Sequence, residues 1–220
     1  MQVSKIENGA YRENAWLAVD GGEAALVDPG SDPERLLAAV AGAGARLCAV
    51  LLTHGHLDHL SALPGIAAAA PGASPAAPVP VRIAAADAAW CFTAANDLPP
   101  YVPVHSPPAG FRADLSEGAE IRVGGETLRV LATPGHSPGG VCFFADAAPD
   151  RPPLLFSGDT LFAGSAGRTD FPGGDDAEMA ASLRRLAALP PETLVLPGHG
   201  PATTIGRELR CNPFVREALR

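Results

Sequence analysis

The chain has 220 residues, enough for one domain with a substantial hydrophobic core, and its length alone does not demand a second. Hydrophobic residues make up 47% and charged residues 18%, a globular balance that excludes a disordered or fibrous chain. A formal charge of −8 disfavours nucleic-acid partners, whose phosphates are bound largely through Lys and Arg, and no uninterrupted apolar run reaches membrane-spanning length.

Residues 14–20 and 23–28 are predicted strands joined at Gly21-Gly22, a two-glycine hairpin signal. Asp32-Pro33-Glu34 then places a capping acid and an N1 proline at the head of a helix through Leu36, Leu37 and Val40 to Gly42 or Gly44. A buried strand over 47–53 leads into a histidine cluster, after which 60–70 reads as a helix stopped by Pro71-Gly72. The proline-rich stretches 72–80 and 97–111 read as loops suited to a pocket rim. Residues 120–123 and 126–131 form a second hairpin through Gly124-Gly125, and strands follow at 141–145 and 154–157. Asp175 or Asp176 caps a helix through Met179, Leu183 and Leu186 to Leu189, and a strand at 194–196 precedes a short helical tail from about 203. Strands interspersed with helices fit a single α/β domain over 1–220, layered with sheets at the centre and helices outside.

The N-terminus, Met1-Gln2-Val3-Ser4-Lys5, lacks the profile of a signal peptide, so a soluble, cytoplasmic protein is expected. Cys48, Cys91, Cys142 and Cys211 are widely spaced with no C-x-x-C pair, and all four read as structural thiols.

The chemistry concentrates in His54-Gly55-His56-Leu57-Asp58-His59, which holds three of the six histidines. A turn after the strand sends alternate residues His54 and His56 to one side, where two imidazoles can share a metal, while Asp58 and His59 can point at a second position. Nitrogen and carboxylate donors suit Zn, Fe or Mn rather than Ca or Cu(I). His136 in Thr133-Pro134-Gly135-His136, Asp159 in Ser157-Gly158-Asp159 and His199 in Pro197-Gly198-His199-Gly200 each follow an apolar strand beside a glycine, as an open site on one sheet edge requires. Asp28-Pro29-Gly30 reads as a turn that orders backbone near these ligands, with Thr53 and Thr133 in similar supporting positions. Arg168 and Asp170 read as a buried ion pair shaping a loop, and His105 as a solvent-facing or packed side chain. Tyr101 and Phe111 either line a pocket or pin the loop that carries them.

Thr53 to His59, with His136, Asp159 and His199 downstream, resembles the complete ligand signature of the metallo-β-lactamase superfamily. The resemblance implies a four-layer αββα sandwich in which His54, His56 and His136 hold one metal, Asp58, His59 and His199 the other, and Asp159 bridges them. Gly158-Asp159-Thr160-Leu161-Phe162-Ala163-Gly164-Ser165-Ala166-Gly167-Arg168-Thr169-Asp170-Phe171 is similar to the short, single-domain, glyoxalase II-like hydrolases of bacteria. Pro197-Gly198-His199-Gly200-Pro201 and Asn212-Pro213-Phe214 follow the same group.

That group implies one or two Zn2+ ions, with Fe or Mn as alternatives, and hydrolysis of a small-molecule thioester such as S-lactoylglutathione by metal-bound hydroxide. Asp58 would be the catalytic residue that orients the hydroxide and shuttles its proton, and neither Ser165 nor Cys142 has a catalytic role. Full glyoxalase II proteins add a C-terminal helical domain with glutathione contacts, whereas this chain ends 21 residues after His199, leaving the thiol carrier open. Persulfide dioxygenation is the alternative carried by Gly167 to Phe171, and lactone or β-lactam hydrolysis a further one. A binding module that kept the fold and lost catalysis is the remaining class.

Overall fold

In β2 (Glu13–Asp20) and β3 (Glu23–Val27) successive side chains alternate between two buried faces. Ala15, Leu17, Ala24 and Leu26 pack with Leu36 and Val40 of α1 (Pro33–Gly42) and with Leu63 and Ile66 of α2 (Leu63–Ala69). Trp16, Ala18, Ala25 and Val27 face the other way, against Val123, Leu128, Val130, Phe143 and Phe156 of a second sheet. Strands buried on both faces carry near-continuous apolar runs, which is why these segments stand out in the sequence.

The computed structural model describes residues 1–70 and 77–220 and contains two six-stranded sheets. The first is ordered β1 (Gln2–Asn8), β2, β3, β4 (Arg46–Leu51), β5 (Val81–Ala84) and β6 (Phe111–Leu115). Its pairings are antiparallel from β1 to β3 and parallel from β3 to β6. The second contains β7 (Glu120–Val123), β8 (Glu126–Ala132), β9 (Val141–Ala145), β10 (Leu154–Gly158), β13 (Leu194–Pro197) and β14 (Thr203–Thr204), in the order 14-13-10-9-8-7. Only β10 and β13 pair in parallel there. Between them in sequence, β11 (Leu161–Phe162) and β12 (Ser165–Ala166) form a small hairpin.

The outer face of the second sheet repeats the logic of the first. Cys142, Phe144, Leu155 and Val195 turn away from the inter-sheet core onto Met179, Leu183 and Leu186 of α4 (Asp176–Ala187) and Val215 of α6 (Pro213–Ala218). A one-turn helix, α3 (Ala85–Ala88), follows β5, and α5 (Ile205–Cys211) precedes α6. Helix, sheet, sheet, helix is the expected αββα order. Among the described residues no helix is long and apolar enough to cross a membrane.

Several expectations shift in detail. The second helix begins at Leu63 rather than residue 60, because Pro64 has no N–H to donate and sits in the first turn, where none is needed. A single 3-10 turn at Leu57–His59 occupies the space before it. Pro33 stands at the head of α1 as expected, but Asp32 adopts φ 54° and its side chain makes no capping bond. Asp175 does cap α4, accepting from Glu178 N–H. The predicted helix stop at Pro71-Gly72 and residues 72–76 of the first loop lie outside the described residues.

Candidate metal centre

The two sheets are hydrogen-bonded to each other at one edge, and the candidate ligands gather there. Val141 N–H of the second sheet donates to Thr53 O beyond β4 (2.8 Å), and Asn14 N–H of β2 donates to Gly198 O beyond β13 (2.7 Å). These cross-links bring together loops that leave β4 (His54, His56, Asp58, His59), β8 (His136), β10 (Asp159) and β13 (His199). Gly158 has φ 47°, and any Cβ there would run into Thr53 Oγ1, so only glycine lets β10 deliver Asp159 this close to the cluster.

Six of the seven expected residues converge in two trios that could each hold a metal ion: His54, His56 and His136, and Asp58, His59 and His199, each with donor atoms within 4.8 Å of one another. In the first, His56 Nδ1 faces His136 Nε2 at 2.9 Å. In the second, His199 Nε2 lies 3.3 Å from His59 Nε2 and 3.4 Å from Asp58 Oδ2. Asp159 stands between them, with carboxylate oxygens 3.4 Å from His59 Nε2, 3.6 Å from His199 Nε2 and 3.7 Å from His136 Nε2.

Hydrogen bonds on the far edges of His136, His199 and His54 set which nitrogen of each faces the centre. His136 donates Nδ1–H to Arg168 O (2.7 Å), and His199 donates Nδ1–H to Tyr11 O (3.3 Å). Thr53 Oγ1 donates to Asp28 Oδ2 (2.7 Å) and so accepts from His54 Nδ1–H (3.0 Å). Asp28 Oδ2 also lies 3.2 Å from His59 Nδ1, and Asp28 Oδ1 accepts from Thr53 N–H (2.7 Å). Asp28, His54 and His59 also fall within ligand distance of one another, but both rings present their Nδ1 edges to the Asp28 side. Asp28 therefore braces the outer edges of two candidate ligands, His54 through Thr53 and His59 by proximity.

The residues present fit a bound cation. His54 Nε2 and Asp159 Oδ1 are buried with no hydrogen-bond partner, whereas buried polar atoms are nearly always paired. The donor set of imidazole nitrogen and carboxylate oxygen suits a divalent metal such as zinc, iron or manganese.

The electrostatics differ across the centre. Burial and the neighbouring histidines hold His54 well below the ordinary imidazole range, and burial with His136 pulls His56 down to about 3, so both stay neutral. Burial also opposes charge on His59, but the carboxylates of Asp159, Asp58 and Asp28 outweigh it and raise that ring to about 10. His199 is raised too, burial being overcome by Asp58 and Asp159. Asp58, despite its burial, is held far below the usual carboxylate range by His59 and His199. The centre thus concentrates negative charge where a cation would neutralise it.

A pH optimum for the metal-stripped chain follows. His59 is raised from 6.5 to about 10, so its contribution is complete below pH 6.5 and is lost as pH rises through about 10. His56 is lowered from 6.5 to about 3, so its contribution is complete above 6.5 and lost as pH falls toward 3. The thermal midpoint of metal-stripped protein is expected to peak near pH 6.5 and decline on both sides. Metal loading should flatten the alkaline limb. An unchanged midpoint from neutrality to about pH 10 without metal would contradict the carboxylate field around His59.

Around the trios stand aromatic side chains. Phe171 and Trp90 both approach His56, with ring centroids at 5.5 and 5.3 Å, and Phe162 approaches His199 at 6.2 Å. Arg168 pairs with Asp170 through two hydrogen bonds of 2.8 and 2.7 Å, as expected, but the pair is exposed rather than buried. Its guanidinium stacks over Phe171 at 4.3 Å, which orders the loop from the solvent side. His105 is exposed and pairs with Asp97 at 2.6 Å. Tyr101 pins its loop by donating to buried Glu13 (2.7 Å), and Phe111 packs on Phe92. All four cysteines are free thiols, but only Cys91 and Cys142 are buried, Cys48 being half-buried and Cys211 exposed.

Sequence reading missed Asp87. It is fully buried and accepts from Gly55 N–H, Ser137 Oγ and Gly139 N–H, at the margins of the first trio. The one available signal was a single acid within the apolar run from Ile83 to Trp90.

Two mixed sheets in an αββα sandwich, joined at an edge that carries paired His/Asp trios, define a metal-binding hydrolase fold. The chain belongs to the metallo-β-lactamase superfamily, whose family model matches residues 8–199. It is 32% identical to a hydroxyacylglutathione hydrolase, GloC, of Haemophilus influenzae, over 98% of each chain. Among solved structures it resembles TTHA1623 in a di-iron-bound form, with 41% identity, a TM-score of 0.79, and 96% of this chain and 99% of that one covered. It also resembles the B3 metallo-β-lactamase BLEG-1, with 32% identity, a TM-score of 0.82, and 97% and 99% covered.

Proposed function

We propose that the protein is a metal-dependent hydrolase that cleaves a thioester of a small thiol, in the manner of glyoxalase II. The observation that carries this reading is the position of Asp159, within 3.7 Å of histidine nitrogens from both trios. One carboxylate shared between two complete trios favours a two-metal centre, with His54, His56 and His136 on one ion, Asp58, His59 and His199 on the other, and Asp159 between. The Haemophilus hydroxyacylglutathione hydrolase and the di-iron form of TTHA1623 support the activity and the paired metals respectively.

Metal ions held there would supply a water acidified from a pKa of 15.7 toward ~7 and a Lewis acid for a carbonyl oxygen. The chain's own residues do the rest. Asp58, kept ionised by His59 and His199, would accept a hydrogen bond from the attacking water and orient it, relaying its proton onward rather than holding it. Neutral His54 and His56 keep their lone pairs free for the centre. Trp90 and Phe171 wall the side nearest His56 with apolar surface, which excludes water and accommodates an acyl group. Thiolate departure needs no serine or cysteine nucleophile.

Opening of a β-lactam ring is the second reading, favoured by the likeness to BLEG-1. Parallel assays on S-lactoylglutathione, a lactone, a β-lactam and glutathione persulfide discriminate among them. Thioester turnover should dominate. Oxygen uptake on the persulfide with no thioester cleavage, or a higher kcat/KM on the β-lactam, would overturn the assignment.

A further inference from the structure

The turn His54-Gly55-His56 and the turn after His136 come from different sheets, and a single side chain joins them. Asp87 Oδ2 accepts from Gly55 N–H (2.8 Å) and from Ser137 Oγ (2.7 Å), while Oδ1 accepts from Gly139 N–H (2.6 Å). The carbonyl of Gly55 is held from the same segment, by Asn96 Nδ2 at 2.8 Å. Both peptide groups that flank Gly55 are therefore fixed by residues 87–96. The fit is close, since a Cβ on Gly139 would lie 2.8 Å from the Asp87 carboxylate and one on Gly55 would lie 2.9 Å from Cys91 Cβ.

We propose that Asp87 is a positioning residue for the metal centre: by tying the Gly55 peptide to the Ser137–Gly139 turn, it sets the separation of His56 Nδ1 and His136 Nε2 and hence the bite of the first trio. The inference rests on reading His54, His56 and His136 as metal ligands. Its physical basis is directional. None of these hydrogen bonds goes to a candidate ligand side chain, yet the three donors lie between His54 and His56, next to His136, and three residues beyond His136. A side chain needed only for packing would have no reason to collect its donors from these two turns.

The charge state matters as well as the shape. All three partners are donors, so a carboxylate satisfies each, whereas an amide must aim its own N–H at one of them. Asp87→Asn thus leaves the volume nearly unchanged and forces the two turns apart at one contact. Substitutions of groups that orient metal ligands typically weaken metal binding by about 10–100-fold.

The test uses the full chain, stripped of metal and titrated with Co2+ against a competing chelator, with the visible spectrum of bound Co2+ recorded beside the thermal midpoint. Asp87→Asn is expected to weaken Co2+ binding by about 10–100-fold and to alter the visible bands, which report the ligand geometry. Ser137→Ala, which removes one donor and keeps the carboxylate, should give a smaller loss in the same direction with a nearly unchanged midpoint. A lowered midpoint with wild-type Co2+ affinity and spectrum would make Asp87 a structural group only and overturn the proposal. Should the Asn variant fail to fold, wild-type affinity and spectrum in Ser137→Ala would overturn it equally. A wild-type chain that takes up neither Co2+, Zn2+ nor Fe2+ defeats the metal reading itself, a different outcome from equal binding by wild type and variant.

Discussion

Replacing Asp159 by alanine is expected to lower kcat/KM on thioester by on the order of a thousandfold, corresponding to about 4 kcal/mol of transition-state stabilisation. The reason lies in its neighbours. Its oxygens stand 3.4–3.7 Å from His59, His136 and His199, so one carboxylate faces the inner nitrogens of both trios. Its Oδ1 is buried and otherwise unpaired, so its removal leaves nothing to compensate the charge of a second cation. Asp159→Asn separates charge from shape: the amide fills the same space beside Gly198 but neutralises the bridge. Metal content by elemental analysis should fall toward one ion per chain in both variants. Wild-type turnover with full metal content in either would refute the bridging role.

The second large effect is expected at Asp28. Its side chain is buried, its backbone has φ 51°, and its carboxylate reaches one ring in each trio, His59 directly and His54 through Thr53. Asp28→Ala strands Thr53 N–H and hydroxyl without a buried partner and removes the carboxylate 3.2 Å from His59 Nδ1, and should cost ~3–5 kcal/mol of stability. Metal affinity should fall about 10–100-fold with it. Asp28→Asn isolates the two contributions, because asparagine tolerates the left-handed backbone while losing the charge. Chemical denaturation and metal titration of both variants measure the two terms. An Asn variant that binds metal like wild type would show that the backbone bend, rather than the carboxylate, is what the centre requires.

The candidate site was legible in sequence for a physical reason: its candidate ligands sit where strands end, beside glycines that permit close approach. His54 to His59 are nearly contiguous, and His136, Asp159 and His199 each follow an apolar run that could be recognised by itself. The strands with two buried faces, such as Val141–Ala145, were equally plain, since every position is apolar. β1 was not, because only Ile6 and Asn8 of its residues are buried and an edge strand needs little apolar surface. β5 and β6 were hidden because a four- or five-residue parallel strand is defined by its neighbours' hydrogen bonds rather than by its own pattern. The exposure of the Arg168–Asp170 pair could not be read because the same two residue types pair at either depth. Asp87 was invisible for the opposite cause: its donors lie 32, 50 and 52 residues away along the chain.

The layers of the fold follow one from another. Alternation puts alternate residues of β2 and β3 on opposite faces, those faces build the layers, and the layers meet at the edge where Val141 bonds Thr53 and Asn14 bonds Gly198. The centre occupies the seam between the sheets. Its geometry depends on how the sheets dock as well as on the loops that carry the ligands.

The ring of Trp90 against His56 gives the protein an optical gauge. The chain has two tryptophans, and the other, Trp16, is sealed between the sheets with its Nε1–H bonded to Pro197 O. Indole emission is quenched at short range by metals with partly filled d shells and spared by zinc. Iron or cobalt entering beside His56 would therefore dim Trp90 far more than zinc, so intrinsic fluorescence during loading would report the entry of an open-shell ion without any attached label.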